Sequence, residues 1–555
     1  MRDAALLLLP VAALALVSLA GVGVVALLAP GLPRDAASAL APLAGTALLA
    51  AASTLLPLGA PTRPVIVVVL CAGVVLGVPF VRTLRGGGIP LLLALGAIVL
   101  AGAPAVARGS WEATSLYGST DAYHWVSQGR AYLDGPAPPP VESHPDRLTY
   151  ERSRDQHWAV AVPMGVAAVA WLSGRDPAEA YGALGALLFA LLPLATYAAA
   201  RALVAWEPPA AAAAGAAVAL NASLLFASHF SWQQQLAGTA LAFGSALTLR
   251  LGLEPEAPRR LLLLAALLAA AALATYRLGF APYLGGLLVA VTAAYAVRDR
   301  GAVRRAALFL AAAVVLATPS LAALARGLPE FVDSGGFSTA FKEHFPRGQP
   351  GEALGLVPRV WAIEEGWAGA LRAAWLLVAS ALTVVLLVAG ARLARRTPRG
   401  DFLLAGGVLV LGGWLVLQLP RFAPYLSYKL LAYGAPFLVL LALAPLARRR
   451  RVALTTAAGA LLVASAASAT VLARDARRAP IVDAEGLPAD AVVEIGTDDP
   501  WAQAWAVYSL RDVRVSVERP TYLLTAQGRE RDAAAYRRRP VTHVLRETGV
   551  VPAPS

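Results

Sequence analysis

The sequence predicts an all-α polytopic membrane protein of about 13–14 transmembrane helices with a small α/β domain at its C-terminal end. Three observations lead there. Hydrophobic residues make up 58% of the chain and charged ones only 15%, against about 25% charged in soluble proteins, so a water-soluble enzyme is excluded. The apolar residues come in nearly charge-free blocks of about 20, the length that crosses a bilayer core as a helix. Lipid offers free backbone groups no partner, and runs without alternation exclude a β-barrel. After residue 473 these blocks stop and short strand-like and helical pieces follow.

In chain order the predicted spans are 4–29, 36–58, 65–81, 89–107, 177–204, 209–228, 232–252, 259–275, 279–297, 302–325, 371–391, 401–419, 428–446 and 452–472. The segment 158–173 (HWAVAVPMGVAAVAWL) is apolar but short for a span, and is read as an interfacial helix anchored by Trp158 and Trp171. Asp176-Pro177 then reads as N-cap and first residue of the next span. The units are N-terminal helices (1–88), a core (89–325) that includes an outer loop (109–158), a second outer loop (326–370), C-terminal helices (371–473) and a soluble domain (474–555). Within that domain Ala491–Gly496, Val513–Val517 and Val541–Leu545 read as strands and Trp501–Leu510 as a helix. Trp501, Trp505 and Tyr508 share one helical face, read as core packing before a sugar-binding platform.

The net charge of +13 carries topology. Arginines cluster at 298–305, at 392–399 and as four in a row at 448–451. By the positive-inside rule these connections are cytoplasmic, which puts the long polar stretches and the C-terminal domain outside. The partner this charge implies is the lipid bilayer, with no nucleic acid. Cys71 is the sole cysteine, so no internal disulfide forms. Heavy Arg use, two lysines and one asparagine (Asn221) suggest a GC-rich bacterial genome. The expected location is the bacterial inner membrane, with the catalytic loops on the periplasmic face.

No phosphate-binding loop, dinucleotide fingerprint or nucleophile elbow occurs, so any substrate comes from the membrane or the outer space. Ionisable residues outside the Arg clusters gather in the first outer loop. Asp121 and His124 stand at i, i+3 on a helix starting near Thr120, although an acid in a first turn also simply complements the helix dipole. Asp155 and His157 precede the interfacial helix. These four are the candidate catalytic residues, and as a set they are also the candidate ligands of a divalent cation, without the spacing of a closed zinc site. No other cofactor is implied. For an anionic group the candidates are Lys429, Arg277 and Arg421. In so Arg-biased a chain, an ammonium kept at the head of an apolar span suggests a role guanidinium does not fill; snorkelling is the plain alternative. Tyr428, His229 and Gln234 are candidates for an acceptor or groove. Lys342 reads as a surface charge in a long solvated loop, and Glu364, Glu365 and Trp367 as a groove border.

The layout of STDAYHW, RDQHWAVAVPMGVAAVAWLSG, EAYGALGALLFALLPLATYAAARAL, ASHFSWQQQLAGTALAF and LATYRLGFAPYLGGLLVA, over residues 89–297, resembles the GT-C superfamily of lipid-dependent glycosyltransferases. It is most similar to the branch of protein O-mannosyltransferases and the lipid A aminoarabinose transferase. The resemblance implies a GT-C-like fold and transfer of a sugar from a polyprenyl-phosphate donor to a glycan, lipid or protein acceptor on the outer face. Asp121 matches the family's catalytic acid. Two departures stand out: Gln156-His157 follows Asp155 where relatives have a lysine, and Gln233-Gln234-Gln235 replaces a frequent Asp. Other classes kept open are a lipid or glycan transporter or flippase, a lipid-diphosphate-dependent polymerase or ligase leaning on Arg277, Arg421 and His124, and a non-catalytic member of the fold.

Overall fold

The computed structural model describes residues 6–112, 115–116, 121–134, 160–230, 232–277, 279–333, 346–359, 369–447, 451–477, 481–482, 486–488, 490–511, 513–521, 540–546 and 549–553. Helices occupy all fourteen predicted apolar segments. The N-terminal group is α1 (Leu8–Leu28), α2 (Arg34–Ser53), α3 (Thr62–Gly77) and α4 (Gly88–Arg108). Strand β1 (Ser115–Leu116) and helices α5 (Asp121–Asp134) and α6 (Ala161–Ser173) belong to the first loop region. The bundle continues with α7 (Pro177–Ala202), α8 (Pro208–Ala219), α9 (Ala222–His229), α10 (Gln233–Gly252), α11 (Arg260–Thr275), α12 (Ala281–Ala296) and α13 (Ala302–Asp333). The one-turn α14 (Pro350–Ala353) precedes α15 (Ala370–Ala394), α16 (Gly400–Val416), α17 (Pro424–Ala447) and α18 (Arg451–Asp475).

Among the described residues eight helices are long and apolar enough to cross a membrane, and the bent pair α8–α9 adds a ninth. That is fewer than the fourteen crossings expected from the sequence. The difference lies in α10, α11, α12, α16 and the apolar part of α18. A 16-residue helix such as α11 rises only about 24 Å, short of a core about 30 Å thick. α10 is long enough but carries three glutamines and an arginine, and every one of its residues is buried. α10 and α11 are sheltered by the bundle, where polarity and shortness are tolerated, whereas α12, α16 and the apolar part of α18 keep exposed apolar residues such as Val289, Val408 and Val463.

One predicted span, 209–228, is broken. α8 and α9 meet at 48°, and the break falls at Asn221. Its Oδ1 accepts from the backbone N–H of Ser223 (3.0 Å) and Leu224 (3.2 Å), capping α9, while Nδ2 donates to the Ala353 carbonyl (3.2 Å). Short polar side chains that capture nearby N–H groups end helices rather than continue them.

The second loop is also unlike its reading as solvated chain. α13 continues past the expected boundary to Asp333, and residues 346–359 fold into the bundle between α9, α15 and α17. Glu352 and Arg359 are fully buried as an ion pair of 3.1 Å. Ser427 accepts from the Gly348 N–H (2.8 Å), and the Ser223 hydroxyl donates to the Glu352 carbonyl (2.9 Å). Gly355 has φ +73° and lies so close to Asn221 that a Cβ would come within 2.6 Å of its Cα. Only glycine fits there.

α7 defines the two ends of the bundle. It begins at the N-cap Asp176, whose Oδ1 accepts from Ala178 N–H (2.8 Å) as expected. It ends at Ala202, whose carbonyl accepts from Arg399 (3.2 Å). At this Arg-rich end Arg298 and Arg399, from two of the sequence clusters, converge on the acids Asp401 and Glu254. The other end carries α5, α6 and the C-terminal domain.

That domain contains β2 (Ala476–Arg477), β3 (Val492–Ile495), α19 (Pro500–Ser509), β4 (Arg514–Ser516), β5 (His543–Arg546) and β6 (Gly549–Pro552). The sheet order is β4-β3-β5-β6, with β3 parallel to both neighbours and β6 an antiparallel edge that the sequence reading lacks. Trp505 is fully buried and Trp501 and Tyr508 nearly so, as core packing requires. Part of that core belongs to the first loop: the Trp505 ring meets Tyr123 of α5 edge-on at 6.2 Å. The Tyr508 hydroxyl donates to Asp176 Oδ1 (2.8 Å), and β1 pairs with β2. The domain is thus tied to the loop on both sides of α5.

Candidate functional site

The site assembles at the end of the bundle opposite the Arg-rich network. α17 begins at Pro424 and turns Lys429 inward. Its Nζ lies over the rings of Tyr425 (4.8 Å), Trp232 (5.0 Å) and Tyr276 (5.6 Å) and donates to the Tyr276 hydroxyl at 3.3 Å. Tyr425 reaches it as an i, i+4 neighbour, Trp232 from just before α10, and Tyr276 from the turn after α11. Ring faces attract a desolvated cation, so the ammonium is held without leaving the cage.

Arg277 follows Tyr276 in that turn and is 3% exposed. Its Nε has no hydrogen-bond partner. Burial lowers its pKa to about 10, with the Tyr132 hydroxyl of α5 opposing and Arg326 of α13 reinforcing the shift. Tyr132 stands near the C-terminal end of α5, and Asp121 opens the same helix about 16 Å of helix earlier.

An apolar cavity of about 380 Å³ lies between α1, α2, α6 and α7, and its lining includes Ala237 of α10 and Thr275, two residues before Arg277. Its walls are leucine, alanine and valine, from Leu16 and Leu70 to Leu187. Space of this size and polarity suits a hydrocarbon chain.

Between cavity and loop lie α9 and the first turn of α10. His229 is buried, and its Nε2 is 3.1 Å from the Ala101 carbonyl, the distance of an N–H donating to it. Nδ1 then remains an acceptor, without a partner. Gln233, Gln234 and Gln235 are all buried. Gln233 donates to the Ser228 carbonyl (3.3 Å) and packs on Gly185 of α7.

The other predicted residues are placed as follows. His124 is half-buried on α5, its ring 5.6 Å from that of Tyr123. Asp121 is described by its backbone alone; Asp155, His157, Lys342, Glu364, Glu365 and Trp367 lie outside the described residues. Of the four candidate cation ligands only His124 therefore has a described side chain, and no group of three metal-ligating residues gathers among the described residues. Arg421 is exposed and stacked on Phe422 at 4.9 Å, apart from the Lys429 cage. Tyr428 is fully buried; its hydroxyl donates to the Ser223 carbonyl (2.5 Å), and its ring backs Trp232 (5.9 Å) and carries Arg359 (4.4 Å). It supports the cage wall instead of lining a groove.

Sequence reasoning missed Trp232, Tyr276, Arg359, Glu352 and Gln235. Tyr425 and Lys429 at i, i+4 were visible as a pair, but nothing local joins them to rings some 150–200 residues away.

The chain shares this architecture, a long helical bundle with a loop-borne helix packed across one end and a small α/β domain on it, with ArnT from Cupriavidus metallidurans. The apo crystal structure superposes with a TM-score of 0.50 at 15% identity, over 78% of this chain and 86% of that one. The structure of the same protein bound to undecaprenyl phosphate gives 0.51 at 15% identity, over 80% and 88%. No family model and no curated protein sequence matches the chain.

Proposed function

We propose that this chain is a membrane-embedded inverting glycosyltransferase that moves a sugar from a polyprenyl phosphate to an acceptor hydroxyl at the loop end of the bundle. The observation that carries the reading is the buried Arg277, two residues beyond Thr275 in the lining of the apolar cavity, with the caged Lys429 bonded to its neighbour Tyr276. A hydrocarbon chain ending in a phosphate matches both features at once. The fold shared with a protein crystallised with undecaprenyl phosphate supports the same donor class.

In this reading the acceptor oxygen bonds to the anomeric carbon as the carbon–phosphate oxygen bond breaks, and its electron pair leaves with the phosphate. Asp121 takes the acceptor proton as general base, with His124 on the same helical face. Arg277 and Lys429 stabilise the charge on the departing phosphate, and count for more because they act away from water. Asp155 and His157 are the further candidates at the loop's exit, whether for proton transfer or for a divalent cation. The Arg-rich end faces the cytoplasm, and the loop end the periplasmic side of a bacterial inner membrane. Among the alternatives, the lipid-diphosphate polymerase leans on Arg421, whose exposed position gives it little support.

The test is binding and transfer by the full chain in nanodiscs. Asp121→Asn keeps polyprenyl phosphate binding and loses transfer by at least about a hundredfold. Lys429→Ala weakens binding about tenfold or more. Absence of binding by the wild type would remove the lipid-phosphate reading.

A further inference from the structure

The contacts of the Lys429 ammonium described above differ in kind. The rings of Tyr425, Trp232 and Tyr276 attract it across their faces. The Tyr276 hydroxyl accepts its hydrogen bond at 3.3 Å, and a hydrogen bond fixes both a distance and a direction. The rings keep the charge in the cage; the hydroxyl sets where in the cage it stands.

Tyr276 belongs to the turn between α11 and α12. Its backbone is extended (φ −153°, ψ 97°), and its N–H still donates to the Ala272 carbonyl (3.1 Å) at the end of α11. The next residue, Arg277, offers its carbonyl to the N–H groups of Phe280 (3.3 Å) and Ala281 (2.8 Å), which opens α12. One turn therefore carries Arg277 and the residue that holds Lys429.

The Tyr276 side chain lies back across this turn onto Gly279. A Cβ at Gly279 would stand 2.6 Å from the Tyr276 hydroxyl and 2.9 Å from its Cζ, and the three atoms nearest to it all belong to the Tyr276 side chain. Gly279 is not one of the glycines with positive φ, so it serves space and not backbone conformation. The atom it makes room for is the one that bonds Lys429. A methyl group at 279 meets the far end of a side chain, which gives way and carries the hydroxyl off the ammonium.

Resting on the glycosyltransferase reading above, we infer that Tyr276 is a positioning residue for the donor phosphate: its hydroxyl sets the stance of the Lys429 ammonium, and Gly279 is the space that permits it. Tyr276 acts through Lys429 and needs no contact with the phosphate itself.

The experiment measures polyprenyl phosphate affinity of the full chain in nanodiscs for wild type, Tyr276→Phe, Gly279→Ala and Lys429→Ala, and for the first two substitutions in the Lys429→Ala background. It is joined to a spectroscopic readout. The chain has two lysines, Lys342 and Lys429, so a Lys342→Arg variant carrying isotope-labelled lysine gives one lysine signal, that of Lys429. Tyr276→Phe keeps the ring, removes the hydroxyl and weakens binding about fivefold. Gly279→Ala weakens binding by a similar factor and moves the Lys429 signal, although the residue at 279 meets Tyr276 and not the lysine. In the Lys429→Ala background both substitutions change affinity by less than about twofold, because residues that act through one another are not additive.

Failure of wild type to bind, or full binding by Lys429→Ala, overturns the lipid-phosphate reading and this inference with it. Wild-type affinity in Tyr276→Phe overturns the inference alone. So does an equal loss in both backgrounds, or a Gly279→Ala variant that melts lower while the Lys429 signal stays in place, either of which makes Tyr276 a structural residue of the turn.

Discussion

The two ends of the bundle handle buried charge in opposite ways. At the Arg-rich end Arg250 is almost wholly buried, and its guanidinium grips Asp401 with two bonds of 2.9 and 3.2 Å. A third nitrogen reaches Glu254 (3.2 Å), and the plane stacks on Tyr295 (4.1 Å). Arg399 closes the set on Glu254 with two bonds of 2.8 Å. At the loop end Arg277 is as deeply buried, but its Nε is unpartnered and the neighbours that act on it are a phenol and another arginine. A closed network of paired charges holds helices together. A buried cation facing no acid among the described residues is what the proposed function assigns to the donor phosphate.

The largest expected effect tests the closed end. Arg250→Ala leaves the buried Asp401 with only Arg298 at 3.9 Å, and lowers stability by about 3–5 kcal/mol, read from denaturation in nanodiscs. Replacing both partners together, Arg250→Met with Asp401→Leu, recovers most of the loss because no lone charge remains. Recovery by the double variant marks the network as structural; its absence would show that these charges act in some further way.

Arg277→Gln is the matching change at the open end. It leaves stability unchanged or slightly raised, since it removes an incompletely satisfied charge, and it weakens polyprenyl phosphate binding about tenfold. A stability loss as large as that of Arg250→Ala would break the comparison. The smallest effect concerns how the C-terminal domain holds α5. Tyr508→Phe removes the hydroxyl bonded to Asp176 and costs about 1 kcal/mol; the measurement that sharpens the point is faster proteolysis of the tail without loss of the bundle.

Much of this molecule is legible along the chain because lipid imposes a strong rule: a segment that meets lipid must be long, apolar and helical. All fourteen helical segments and the N-cap at Asp176 follow from that rule and from capping chemistry. The strands around Trp501–Leu510 follow from alternation. The rule weakens where helices are wrapped by other helices, as α10 and the short α11 are. Asn221 carried the break between α8 and α9 in plain sight, since an isolated asparagine within an apolar run is a cap as readily as a passenger.

The site divides along the same line. Lys429 as one of two lysines and Arg277 in an apolar turn are singular residues, visible because each is costly where it stands, while Asp121 is visible as the acid that opens α5. Their surroundings are different in kind. Whether these buried charges are met depends on residues more than a hundred positions away: Asp401 comes to Arg250, and Trp232 and Tyr276 close on Lys429. By itself the sequence determined which segments are helices and which residues are too costly to be accidental, because both depend on local hydrophobicity and charge. Only the tertiary structure decided which of those charges are met by an acid among the described residues and which are not, because that is a matter of distance between segments remote along the chain.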